Sequence, residues 1–151
     1  MTACVIGADS LIRALDLQPH PEGGFFRETV RDTPPDGSRG ALAVIDFLLP
    51  VGMRSAWHRL DVFEVWHFQA GDPLHLMLSA DGRSVETVEL GSMSDVARDC
   101  RQHAAVPPGT WMSAVSLGTW SLVACTTAPA FRFDGFELAP PGWEPADGPT
   151  I

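Results

Sequence analysis

Between Gly52 and Gly71 the chain reads GMRSAWHRLDVFEVWHFQAG, and no other stretch restricts its fold as tightly. Two runs suited to strands meet at a short bend. Side chains on a strand alternate between faces, so His58 and Leu60 share one face, as do Glu64, Trp66 and Phe68. Strands joined at such a bend bring His58 and Glu64 together. An imidazole and a carboxylate facing each other in an apolar cavity can be a metal half-site, an acid/base pair or a buried ion pair.

The remainder of the chain supplies the setting. Its 151 residues are enough for one domain with a real core, and 45% hydrophobic with 19% charged residues is a globular composition. A formal net charge of −9 opposes binding to phosphate backbones or to an anionic membrane surface, so neither nucleic acid nor membrane is an expected partner. No apolar run reaches spanning length, and MTACVIGADS lacks the pattern of a secretory signal. Cys4, Cys100 and Cys125 are odd in number and widely spaced, which fits free thiols in a reducing cytoplasm.

Taken in order, residues 9–17 predict a short helix capped by Asp9 or Ser10, and QPHPEGG stops it. FFRETVRD alternates, with Phe25, Arg27 and Thr29 on one face and Phe26, Glu28 and Val30 on the other. ALAVIDFLLP predicts a buried strand in which Asp46 is unusual. LHLMLSA and SVETVEL flank an Asp81-Gly82 hairpin signal, residues 91–103 are irregular, and GTWSLVACTTA is rich in strand formers. APAFRFDGFELA closes the fold, and residues 140–151 form a tail that is flexible or laid over the surface. Many short strands with one helix indicate an all-β sandwich or barrel.

The spacing from Gly52 to Gly71 resembles the first motif of the cupin superfamily: Gly, five residues, His, one residue, His, three or four residues, Glu, six residues, Gly. Leu60 stands at the second histidine. Pro107-Pro108-Gly109 resembles the Pro-x-Gly of the second motif, where Met112 replaces a histidine and Ser116 an asparagine. Together HPEGGFFRET, SAWHRLDVFEVWHFQAGDPL, VPPGTW and LVACTTAPAFRFDGFELA resemble the branch known as cupin family five, a domain of unknown function, over residues 20–139. The resemblance implies a single cupin domain: a jelly-roll barrel, also called a double-stranded β-helix, usually a homodimer, with a pocket at the barrel mouth. It brings no established reaction. Sugar-nucleotide 3,5-epimerases of this fold pair a histidine base with a tyrosine acid. This chain has no tyrosine, so that mechanism is not expected.

The expectation is a protein that binds a small polar, carbohydrate- or nucleotide-like molecule in the barrel. It would act as a metal-independent isomerase, epimerase or lyase, with His58 as base and Glu64 as its acid or orienting partner. Arg27 either clamps an anionic group bidentately or belongs to a solvated strand face. Glu28, Trp66, Phe68, Trp111 and Met112 are further candidates for substrate contact, the tryptophans and Phe68 also being natural core residues. No cofactor is favoured, because Leu60 and Met112 remove two ligands. A metal-dependent alternative would use His58, Glu64 and His67, although His67 has the wrong parity to face Glu64. A third possibility is a binding protein without chemistry.

Overall fold

The computed structural model describes residues 6–94 and 99–147, so Cys4 and the last four tail residues lie outside the described part. The elements in order are helix α1 (Ala8–Ala14), then strands β1 (Gln18–Pro19), β2 (Phe25–Arg31), β3 (Ala43–Pro50), β4 (Arg54–Leu60), β5 (Phe63–Gly71), β6 (Leu74–Ser79), β7 (Glu86–Leu90), β8 (His103–Val106), β9 (Trp111–Ser116), β10 (Trp120–Ala128) and β11 (Phe136–Leu138). A 3₁₀ turn, Phe133–Gly135, leads into β11. α1 begins one residue before the range read from sequence and ends three earlier. Asp16 takes a left-handed φ of 52°, which a continuing helix does not allow. Its N-cap is Gly7, with no side-chain cap bond from Asp9 or Ser10.

The strands form two antiparallel sheets. One has the order β1-β2-β3-β10-β5-β8, the other β11-β4-β9-β6-β7. Their inner faces enclose a core that includes Phe47, Leu49, Trp66 and Val123 from the first sheet and Leu74, Leu76, Met112 and Ala114 from the second. The bend at Asp61-Val62 carries the chain from β4 in one sheet to β5 in the other, so His58 and Glu64 approach the interior from opposite walls. This is the all-β jelly-roll barrel expected from the sequence. Asp46, the anomaly in β3, lies in register with Arg27 on the outward face, while Ile45 and Phe47 point inward.

Segment 140–147 is laid over the outer face of the second sheet. Trp143 stacks on Trp111 with centroids 4.6 Å apart, and Glu144 accepts hydrogen bonds from Trp57 Nε1 (2.6 Å) and from the Arg54 guanidinium (2.9 and 3.3 Å). Trp57, Met77 and Trp111 form a small buried cluster here, separate from the main core. No helix among the described residues is long and apolar enough to cross a membrane.

Candidate functional site

One end of the barrel holds a cavity of about 130 Å³. Its floor is polar and buried: Glu22, His58 and Glu64 are 7%, 2% and 6% exposed. Phe26, Ile45, Leu60, Phe131 and Phe136 form apolar walls, and the exposed side chains of Glu28, Arg31, Arg132 and Phe133 stand at the rim.

Glu22 reaches the floor through the turn His20-Pro21-Glu22-Gly23-Gly24. The His20 and Gly23–Gly24 backbones bond each other at 2.9 Å, and φ is +103° at Gly23 and +75° at Gly24. A side chain at Gly24 would put its Cβ 2.8 Å from the Leu48 carbonyl oxygen, so this reversal needs glycine. The Glu22 carbonyl accepts from the Ala56 N–H at 2.7 Å, which fixes the turn against β4. Its Oε1 accepts from Ser55 Oγ at 3.1 Å, and Oε2 lies 3.0 Å from His58 Nε2.

These contacts set the protonation states. His58 Nδ1 is 2.7 Å from the Ala56 carbonyl oxygen, so it must carry a proton to donate there. Burial opposes charge on the ring. The Glu22 charge and hydrogen bond, with help from Glu64, outweigh burial and raise the pKa to about 9. His58 is therefore an imidazolium with both N–H groups committed. Burial also works against ionised Glu22, yet His58 above all, with help from Ser55, holds it below the ordinary carboxyl value. His20 Nδ1 accepts the Glu22 backbone N–H at 3.1 Å, so that nitrogen is bare and the 3.7 Å approach to Glu22 Oε2 is not an ion pair. Burial lowers the His20 pKa accordingly.

Glu64 is the opposite case. Its Oε2 is buried without a hydrogen-bond partner, as are Thr127 Oγ1, its cross-strand neighbour, and Trp66 Nε1. Burial pushes the carboxyl up to about 7; the His58 charge opposes this, the Glu22 charge adds to it, and the Trp66 N–H and Cys125 thiol lie near enough to the carboxyl to oppose it a little further. The Cys125 thiol beside it is raised well above its ordinary value by burial, then by the Glu64 and Glu22 charges, so it stays protonated and is a poor nucleophile.

Of the residues singled out from sequence, His58, Glu64 and Glu28 line the cavity. Arg27 is exposed on the outward face of β2; the inward face carries Phe26 and Glu28. A bulge between Glu28 and Val30 shifts the parity and brings Arg31 to the rim instead. Trp66 packs in the core against Phe47, and Phe68 packs at the core margin. Met112 is a core residue in register with His58, whereas Trp111 lies on the outer face beneath Trp143. His67 faces away from Glu64 beside His103, with ring centroids 6.2 Å apart.

Strand spacing and motif positions do not mark Glu22, His20 or Arg31 as site residues. HPEGG was legible as a turn before a strand. Its buried placement depends on contacts with β4, more than thirty residues away.

The cupin-like spacing raises the question of a divalent metal. Both His58 nitrogens already have partners, Leu60 and Met112 offer no imidazole, and His67 points away. No group of three or more His, Cys, Asp or Glu side chains among the described residues is arranged to hold one. These donors do not fit a metal centre.

Comparison with known proteins places this geometry. No curated protein matches the chain. A protein of Shewanella oneidensis of known structure is 37% identical, with a TM-score of 0.83 over 89% of this chain and 85% of its own. A hypothetical protein from Leishmania major is 30% identical, with a TM-score of 0.78 over 89% and 88%. A dTDP sugar isomerase from Desulfovibrio desulfuricans G20 shares the fold at 22% identity and a TM-score of 0.55, over 83% of this chain and 80% of its own. Residues 9–139 match the family described as Cupin superfamily (DUF985), so the His58 and Glu64 spacing, the jelly roll and the family match agree, and the chain belongs to that cupin family.

Proposed function

We propose that the protein binds a small polar molecule at this end of the barrel and moves a proton on it, as an isomerase, epimerase or lyase that uses no metal ion. One observation carries this reading: Glu64 is a buried carboxyl at the cavity floor with an unpartnered oxygen and a pKa of about 7. Near neutral pH such a group exists in both forms and can take or give a proton at little cost. Glu22, held ionised by His58, cannot. The division of labour therefore differs from the one expected from the motif. His58, with both N–H groups engaged, is not the base. It stays charged and favours negative charge developing on a substrate oxygen nearby.

Two measurements test this. The Glu64 carboxyl, followed by carbon NMR, should titrate near 7; titration at the ordinary carboxyl value of 4.5 would overturn the proposal. Incubation in heavy water with small hydroxy and oxo compounds should show exchange at carbon next to a carbonyl, and Glu64→Gln should slow it roughly 100-fold or more.

A further inference from the structure

The cavity also carries information on what it accepts. We infer that its ligand is a short-chain carboxylic acid bearing a second oxygen function, a hydroxyl or carbonyl. Its carboxylate would be taken by Arg31 in exchange for Glu28. This rests on the reading of Glu64 as the proton-exchanging group.

Size comes first. About 130 Å³ is slightly less than the 150 Å³ that houses benzene, so about six non-hydrogen atoms fit inside. A nucleotide sugar is too large to be enclosed there. The walls come next: Phe26, Ile45, Phe131 and Phe136 offer nothing polar to the middle of a ligand, which suits a carbon skeleton. At the floor, Glu64 and Thr127 are cross-strand partners on β5 and β10 and both line the cavity; each is more than nine-tenths buried, and Glu64 Oε2 and Thr127 Oγ1 have no hydrogen-bond partner among the described residues. Buried polar atoms in that state call for a partner, and a ligand hydroxyl or carbonyl supplies one.

The rim supplies the other end. Arg31 holds the Glu28 carboxylate bidentately, Nε to Oε1 and Nη2 to Oε2, both at 2.7 Å, and Nη2 also donates to the Phe131 carbonyl oxygen at 3.0 Å. The planar fork is matched to a carboxylate, and a carboxylate already occupies it. Both partners are about one-third exposed, so their exchange with a ligand costs little. The Phe131 carbonyl anchors the guanidinium at the cavity edge whether or not Glu28 is bound. Arg132, the other rim cation, meets Asp134 through one nitrogen at 2.6 Å and has no backbone carbonyl among the described residues to anchor it, so Arg31 is the cation that presents a fixed, carboxylate-matched fork at the cavity edge.

Calorimetric and NMR titrations with 3-hydroxybutanoate, 4-hydroxybutanoate, 2-oxobutanoate and 4-oxopentanoate, each against its primary amide, and with glycerol 1-phosphate, test this directly. At least one acid should bind with a dissociation constant of about 1 mM or tighter. Its amide should bind about tenfold more weakly, since hydrogen bonds to charged groups carry that much. Arg31→Gln should bring the acid to the level of its amide, Arg31→Lys should fall between, and Glu28→Gln should tighten the acid without changing the amide. Absence of binding by every acid, equal binding of acid and amide, preference for the phosphate, or indifference to Arg31→Gln would overturn the inference. The Glu64 titration in the same samples separates the two readings. If only neutral compounds bind and perturb Glu64, the ligand class falls and proton exchange stands. If the acids bind as expected while Glu64 titrates at its ordinary value, the ligand class stands and the proposed chemistry falls.

Discussion

Glu22 and Glu64 face one small cavity, and their environments drive them apart. Glu22 accepts from His58 and Ser55 and stays ionised; Glu64 Oε2 has no partner and is held near neutrality. Two carboxyls with pKa values separated by environment are a common basis for assigning acid and base roles. The buried ion pair is therefore Glu22–His58, not Glu64–His58. Glu22→Gln removes the counter-charge of a fully enclosed imidazolium, and breaking such a pair from one side costs about 3–5 kcal/mol. Urea unfolding should show that loss, and the His58 ring, followed by proton NMR, should titrate well below 9. Unchanged stability in Glu22→Gln would mean the pair does not exist in solution. Glu64→Gln should be far milder, because it replaces a carboxyl already paying to be charged.

Above single residues, the turn before β2 decides where Glu22 goes. Gly23 and Gly24 both occupy left-handed backbone, and at Gly24 a Cβ would meet the Leu48 carbonyl at 2.8 Å and the Phe47 ring at 2.9 Å. Gly24→Ala should destabilise by about 2 kcal/mol or more, from backbone strain and contact together, and should lower the His58 pKa as Glu22 withdraws. A variant that melts with the wild type would show that the turn relaxes freely. The legible part of the chain stops at this level. Alternation in β4 and β5 placed His58, Leu60, Glu64 and Trp66 inward from spacing alone, because a strand period is local. FFRETVR was ambiguous, since each face carries one phenylalanine, and the bulge after Glu28 then moved Arg31 into the position expected of Arg27. Trp111 lies on the outer face under Trp143 of the tail, a contact that strand spacing does not reveal. Turns, bulges and a returning tail are set by long-range contacts, which spacing does not encode.

At the scale of the whole molecule, the buried charges should make stability depend on pH in a definite direction. His58 keeps its proton to about pH 9 when folded and releases it around its ordinary 6.5 when unfolded. Between those values folding takes up a proton, so stability present below 6.5 is lost as pH rises toward 9. Glu64 acts with the same sign in a lower window, from its ordinary 4.5 to about 7, because the folded protein prefers it protonated. Glu22 has the opposite sign, and its contribution is lost as pH falls below 4.5. The net charge of −9 at pH 7 reinforces the decline toward alkaline pH through mutual repulsion at the surface. The urea midpoint should therefore fall steadily from pH 5.5 to 9, by a free energy on the order of a few kcal/mol. Glu64→Gln should flatten the part below 7, and replacing Glu22 and His58 together with leucine should flatten the part above it. Screening at 1 M salt should remove the surface share, whose range then shrinks to about 3 Å, and leave the buried share in place. A wild-type profile that is level, or that rises toward pH 9, would contradict the assignment of the imidazolium and of the raised Glu64 pKa on which the proposed chemistry depends.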